Sequence, residues 1–163
     1  MVKQEFIDEM RRMLPPERFK REFEAEFAED EASYFPQDLI ARCIHPDLDY
    51  YDFESYPSGV FYAGVDFGKH RDYSAVAVVE SKDDKLYTVH MHRFPLGESY
   101  ASVIGYVKTL CERWDSIVSV VADQTGVGEY IVEDMVNAGI PVEGVILTQQ
   151  RKEEILGYMK QAM

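Results

Sequence analysis

The sequence predicts an α/β fold built on one mixed sheet and preceded by a helical extension. Three observations carry this. From residue 60 onward, short apolar runs and helical stripes follow one another in the order β-β-β-α-β-α-β-α. The first three strands are joined by short polar turns, which makes them antiparallel neighbours; the last two follow helical crossovers, which makes them parallel. Apolar residues form 46% of the 163-residue chain, enough for a packed core and for one domain with an appended segment.

The elements follow in order. Phe6, Ile7, Met10, Met13 and Leu14 fall at helical spacing over 2–14, and Pro15-Pro16 ends that helix. Phe19, Phe23 and Phe27 repeat every four residues in a second helix, as a packing stripe, before the acidic cluster Glu29-Asp30-Glu31. Pro36 starts a short third helix with Leu39, Ile40, Cys43 and Ile44 inward. Residues 45–59 mix turn formers, acids and aromatics and read as a linker lying against the following domain. The chain thus divides into a helical linker or extension over 1–59 and a domain over 60–163.

Within that domain the first strand spans about 60–67, and its continuous apolar run predicts burial on both faces. The second strand covers about 73–80, Asp83-Asp84 makes a turn, and the third covers about 85–94. A helix over about 99–114 carries Val103, Ile104, Val107, Leu110, Cys111 and Trp114 on one stripe. Ile117 to Ala122 is a short buried strand that ends in Asp123. Gln124-Thr125-Gly126-Val127-Gly128 turns into a helix over about 128–138, with Ile131, Val132, Met135 and Val136 inward and Gly139 as its stop. Val142 to Leu147 is a fifth strand, and a last helix covers about 150–161. This is the element order of the ribonuclease H-like fold.

Composition limits the function classes. A net charge of −13 argues against a surface broadly attractive to nucleic acid. It leaves room for a metal-dependent nuclease, because divalent ions neutralise phosphate locally and another part of an assembly can supply a basic groove. No run of 18 apolar residues is present, so no membrane-spanning helix and no membrane partner are expected. Met1 to Leu14 is amphipathic and charged, unlike a secretory signal. Cys43 and Cys111 lie far apart without metal spacing and read as reduced cytoplasmic thiols.

Asp66 and Asp123 each end a buried strand. If the first strand is central and the fourth lies beside it, both carboxylates open at one sheet edge, where ligands of α/β sheets gather. Two adjacent carboxylates repel, and a hard cation such as Mg²⁺ or Mn²⁺ resolves the repulsion. The plainer alternative is two unrelated strand-end aspartates bonded to loop amides. Thr125, in the glycine-bearing turn after Asp123, is an accessory or phosphate-contacting candidate at a helix start. Gly64 to His70 falls one residue short of a nucleotide P-loop, with no Ser or Thr after Lys69, and is rejected as one. Lys69, His70 and Arg71 form a basic turn beside Asp66 that suits either a nucleic-acid phosphate or a solvated hairpin tip. Asp72 is an accessory acid or a turn residue, and Lys152 is a backbone contact or a helix-start lysine. His90 and His92 share one strand face and read as an exposed edge in preference to a metal pair.

The stretches FYAGVDFGKHRDYSAVAVVE, VVADQTGVGEYIVEDMVNAGIPVEGVILT and RKEEIL resemble the nuclease domain of phage terminase large subunits, the DNA-packaging motor proteins. The upstream FKREFEAEFAEDEASYFPQDLIARCI is similar to the segment that joins their ATPase and nuclease domains, so the likeness covers roughly residues 16–160. The resemblance implies a ribonuclease H-like endonuclease that hydrolyses double-stranded viral DNA with Mg²⁺ or Mn²⁺ in a two-ion mechanism. It implies that Asp66 and Asp123 are the first and second metal-binding acids. Its implied partners are the ATPase domain, the small terminase subunit and the portal, in the cytoplasm of a bacterial host. The family's third acid lies downstream of the helix that begins near Arg151, so the resemblance implies a domain incomplete at its C-terminal side, with Glu153 and Glu154 as weaker stand-ins. Three other readings are an inert interaction module of the same fold, a resolvase-like nuclease, and an actin-like ATPase. The last of these requires two such domains and far more chain.

Overall fold

A computed structural model describes residues 34–163 apart from 49, 69–71 and 115. The helices expected over 2–14 and after Pro16, with the Phe19, Phe23 and Phe27 stripe, lie outside the described residues. The chain forms two compact units, Met1–His45 with Lys160–Met163, and Pro46–Met159.

In the first unit, α1 (Gln37–Arg42) is a six-residue helix that starts after Pro36. An exposed Asp38–Arg42 pair at 3.6 Å spans one turn of it, an arrangement worth about 0.3–0.5 kcal/mol on a helix surface. The expectation that Ile40, Cys43 and Ile44 face inward is not met, since all three are exposed and no residue of α1 is buried. A helix of under two turns presents too narrow a stripe to bury a face by itself.

The second unit is organised on five strands: β1 (Phe61–Asp66), β2 (Ala75–Lys82), β3 (Lys85–Arg93), β4 (Ile117–Asp123) and β5 (Val142–Val145), in the order β3-β2-β1-β4-β5. β1 pairs antiparallel with β2, and β2 with β3; β1 pairs parallel with β4, and β4 with β5. The central strand is therefore the one that carries Asp66. Asp83 and Asp84 both have positive φ, 52° and 57°. A two-residue loop of this kind matches the right-handed twist of the strands it joins.

α2 (Tyr100–Arg113) and α3 (Gly128–Asn137) supply the crossovers. Ser99 caps α2 by accepting the Ser102 amide at 3.1 Å. Val103, Val107 and Leu110 of α2, with Trp114 after it, and Ile131 and Met135 of α3 pack with Phe61, Ala63, Val65, Val76, Val78, Val120 and Ala122 of the sheet. Burying each such aliphatic side chain contributes about 1.5–3 kcal/mol. Val136, expected inward, is exposed: it lies one position past Met135 and off the stripe. The thiol of Cys111 is pushed up to about 11 by burial and then by Glu112, which keeps it protonated at neutral pH.

β1 departs from the expected burial on two faces. Phe61, Ala63 and Val65 are buried while Tyr62, Gly64 and Asp66 are exposed. Among the described residues both crossover helices cover one face of the sheet, and on the other Tyr62 is 44% exposed and Met91 63% exposed. β3 breaks its own alternation. Its register shifts between Val78 and Val79, so His90 pairs with Val78, Thr88 pairs with Val79, and Val89 is the extra residue. Such a bulge lets two successive side chains, here Val89 and His90, both be buried.

The bulge receives the linker. The Tyr51 amide donates to the Val89 carbonyl at 2.8 Å. His90 Nδ1 donates to the Tyr51 carbonyl at 2.7 Å, which leaves Nε2 to accept from the Tyr106 hydroxyl at 2.8 Å. Phe53 stacks on Tyr106 at 4.2 Å, and Arg113 lies over Phe53 at 4.5 Å and pairs with Glu54 at 2.9 Å. His90 is thus a buried structural histidine, which corrects the exposed edge expected for it. Burial first and then Tyr50 push the Tyr106 hydroxyl up to about 12. His92 stacks on the same ring at 4.7 Å. The Trp114 indole N–H is buried without a hydrogen-bond partner, among the rings of Tyr51, Phe61 and His90.

Two outcomes are expected. Replacing Asp83-Asp84 by Asn-Gly places residues suited to positive φ in the turn and raises the stability measured by urea denaturation by up to about 1 kcal/mol. Burial, followed by His90, holds the His92 imidazole below its ordinary 6.5. The unfolded chain then binds that proton more readily, so this contribution to stability is complete above pH 6.5 and is lost as pH falls below it. A His92→Gln variant should show a smaller drop in urea midpoint across that window than the parent chain.

Candidate functional site

Asp66 ends β1 and Asp123 ends β4. Val65 pairs with Ala122 in the parallel register, so the two aspartates are the next positions along on neighbouring strands. Adjacent strands lie about 4.8 Å apart, and side chains at matching positions emerge on one face. Asp66 and Asp123 both line a single cavity of about 80 Å³, with Phe67, Tyr100, Thr125 and Ile131 among its other walls. Phe67 and Tyr100 meet edge to face at 5.8 Å and form an apolar side to it. The volume holds about two or three waters at roughly 30 Å³ each.

The connection behind Asp66 is tied by Ser74, which is 3% exposed. Its hydroxyl accepts the Gly68 amide at 3.1 Å and donates to the Gly68 carbonyl at 3.2 Å. The serine of the DYSA stretch therefore closes the turn between β1 and β2. Asp72 lies in that turn, exposed and away from the cavity walls. Lys69, His70 and Arg71 fall outside the described residues.

Asp123 is held more tightly. Its Oδ1 accepts the Thr125 amide at 2.9 Å and the Thr125 hydroxyl at 2.5 Å. This is an aspartate folding its own downstream turn. Burial by itself would raise the carboxyl. The Thr125 hydroxyl and amide, the Leu147 amide and the charge of Lys152 together outweigh it, so the group sits below its ordinary value and is ionised at neutral pH. Thr125 thus points at Asp123. Lys152 stands in the first turn of α4 (Gln149–Ala162), which Thr148 caps by accepting the Arg151 amide at 3.2 Å.

The glycines of the turn have distinct tasks. Gly126 has φ of +64°, where an L side chain is strained. At Gly128 a Cβ would lie 2.2 Å from the Asp123 carbonyl oxygen, so only glycine lets α3 start this close to the end of β4.

Among the described residues no three His, Cys, Asp or Glu side chains gather as a metal cluster. Glu153 and Glu154 lie along α4, where they accept from Gln149 at 2.7 Å and from Gln150 at 3.1 Å. Neither borders the cavity. Phe67 and Tyr100 are walls that sequence reasoning missed. Their signal was proximity in sequence, Phe67 directly after Asp66 and Tyr100 directly after a helix cap.

No family model matches the sequence. The terminase large subunits of Thermus virus P23-45 and Thermus phage G20c are each 28% identical over 141 residues, 85% of this chain. The crystal structure of the large terminase nuclease from phage G20c superposes with a TM-score of 0.55 at 26% identity, over 69% of this chain and 56% of that one. The chain is similar in sequence to these phage terminase large subunits and in fold to the nuclease of one of them. Its mixed five-stranded sheet has the ribonuclease H-like fold, as the match to that nuclease domain shows. The large terminase of another thermophilic bacteriophage shares the fold at a TM-score of 0.56 and 11% identity, over 99% of this chain and 40% of that one. The chain spans 28% of the length of the two Thermus terminase subunits.

The turn gives a paired expectation. Gly128→Ala should lower stability by about 1–3 kcal/mol, since the new methyl meets backbone oxygen and α3 must shift. Gly105→Ala in α2, where an added Cβ meets nothing within 4 Å, should raise stability by about 0.5–1 kcal/mol. Denaturant titration of both variants measures the contrast.

Proposed function

We propose that this chain is the metal-dependent DNA endonuclease module of a DNA-packaging terminase. The observation that supports this most is the placement of Asp66 and Asp123 at adjacent ends of parallel strands, where both residues line one cavity. Thr125 and Lys152 already support Asp123 as an anion, and a divalent cation would draw on both carboxylates at this edge.

The residues present fit a divalent cation. Mg²⁺ and Mn²⁺ take carboxylate and water oxygens, and Mg²⁺ is commonly bound through one or two carboxylates with water and substrate phosphate completing its shell. Asp66 and Asp123 would hold it. When bound, such an ion lowers the pKa of attached water and stabilises charge on a phosphodiester. The protein's part is to keep Asp123 ionised through Thr125 and Leu147 and to wall the site with Phe67 and Tyr100. The two-ion arrangement implied by the resemblance requires a further acid, which the described residues do not supply.

Lys152 is the cation that bears on Asp123, and it is suited to a backbone phosphate of double-stranded DNA. With a net charge of −13 the chain's own field opposes DNA. A terminase ATPase domain, small subunit and portal would therefore present the DNA, in the cytoplasm of a bacterial host. Among the described residues no helix is long and apolar enough to cross a membrane. A second reading, an inert interaction module of the same fold, is favoured by the lack of a third acid among the described residues.

Supercoiled plasmid incubated with Mn²⁺ separates the readings. The endonuclease reading expects nicking by the parent chain and its loss, by at least about 100-fold, in Asp66→Ala and Asp123→Ala. Nicking that survives both substitutions removes the aspartates from the chemistry, and no nicking by the parent chain supports the inert module.

A further inference from the structure

We propose that Thr125 is a positioning residue for the metal site, one that leaves a single oxygen of Asp123 for the cation. The inference rests on the reading of Asp66 and Asp123 as cation ligands. A carboxylate oxygen has two lone-pair directions. Both directions of Asp123 Oδ1 are used by Thr125, one by its amide at 2.9 Å and one by its hydroxyl at 2.5 Å. The Leu147 amide and the Lys152 ammonium also act on the carboxylate. With Oδ1 filled by Thr125, any further contact, from the Leu147 amide or from a cation, falls on Oδ2, so a cation would meet Asp123 through one oxygen.

The surrounding backbone makes this arrangement specific. Thr125 also accepts the Gly128 amide on its carbonyl at 3.2 Å, so the residue that orients Asp123 is itself pinned by the first turn of α3. Gly128 permits that approach because it lacks a Cβ that would strike the Asp123 carbonyl. The amide contact survives any substitution at position 125 that keeps a backbone N–H. The hydroxyl contact does not, and it is the shorter of the two. Thr125 thereby determines which carboxylate oxygen is presented.

The test is Mn²⁺ binding to the full chain, read by the loss of the free-ion electron paramagnetic resonance signal, with no catalytic readout. Thr125→Val keeps the shape and removes the hydroxyl; Thr125→Ser keeps the hydroxyl. Groups that orient a metal ligand typically change affinity by about 10–100-fold, so Thr125→Val should weaken Mn²⁺ binding by that factor and Thr125→Ser should restore it to within about threefold of the parent. Thermal melting without metal checks that both variants are folded. Equal affinity in the parent and Thr125→Val overturns the positioning role while leaving the metal site intact. A Thr125→Ser variant as weak as Thr125→Val also overturns it, because the hydroxyl would then not be the cause. A parent chain that binds no Mn²⁺, or binds it as well after Asp123→Ala, overturns the metal site itself and this role with it.

Discussion

The parallel pairing of β1 with β4 governs everything at the charged edge of the sheet. Two parallel strands cannot be joined by a hairpin; they require a crossover that leaves the sheet and returns. Here β2, β3 and α2 intervene between them in sequence, and α2 lays Val103, Val107 and Leu110 over the strands it connects. The register that buries Val65 beside Ala122 carries Asp66 and Asp123 past the edge together. A shift of one residue in that register would move one of them to the packed face. The hydrophobic face of the sheet therefore sets the geometry of its charged end.

That charged end is built mostly from backbone. Asp123 is stabilised as an anion by two amides and a hydroxyl, with Lys152 adding to them. The helix behind it begins where only glycine fits. Asp66 is placed by contrast through its strand and through the Ser74 clamp on the following turn. One carboxylate is oriented by its own loop, the other by the sheet. A cation between them would meet one pre-set ligand and one freer one, which suits an ion that must also accept water and a substrate oxygen.

The β3 edge of the sheet is held by a different kind of contact. An extra residue in β3 turns His90 into the core, and the imidazole uses both nitrogens to hold Tyr51 and Tyr106. The linker is bound to the domain by this histidine and by the stack of Phe53, Tyr106 and Arg113. The segment before β1 is thereby part of the packed unit that contains the site.

Much of this was legible from residue order. Apolar periodicity located each of the five strands and the helices between them, because burial on one face imposes a period of two or 3.6. The turn aspartates, the glycines after Asp123 and the strand-end acids could also be read, since their chemistry is local. What periodicity could not show was parity. One extra residue in β3 reversed the sense of His90, and a continuous apolar run in β1 concealed a strand covered on one side only. The role of Thr125 was equally hidden, because a hydroxyl two residues from an acid points at it only once the chain has turned. Residue order was enough for the elements, their succession and the two acids, all properties of neighbours along the chain. That those acids share a cavity, and which atoms orient them, came only with folding, because strands far apart in sequence meet only when the core between them is packed.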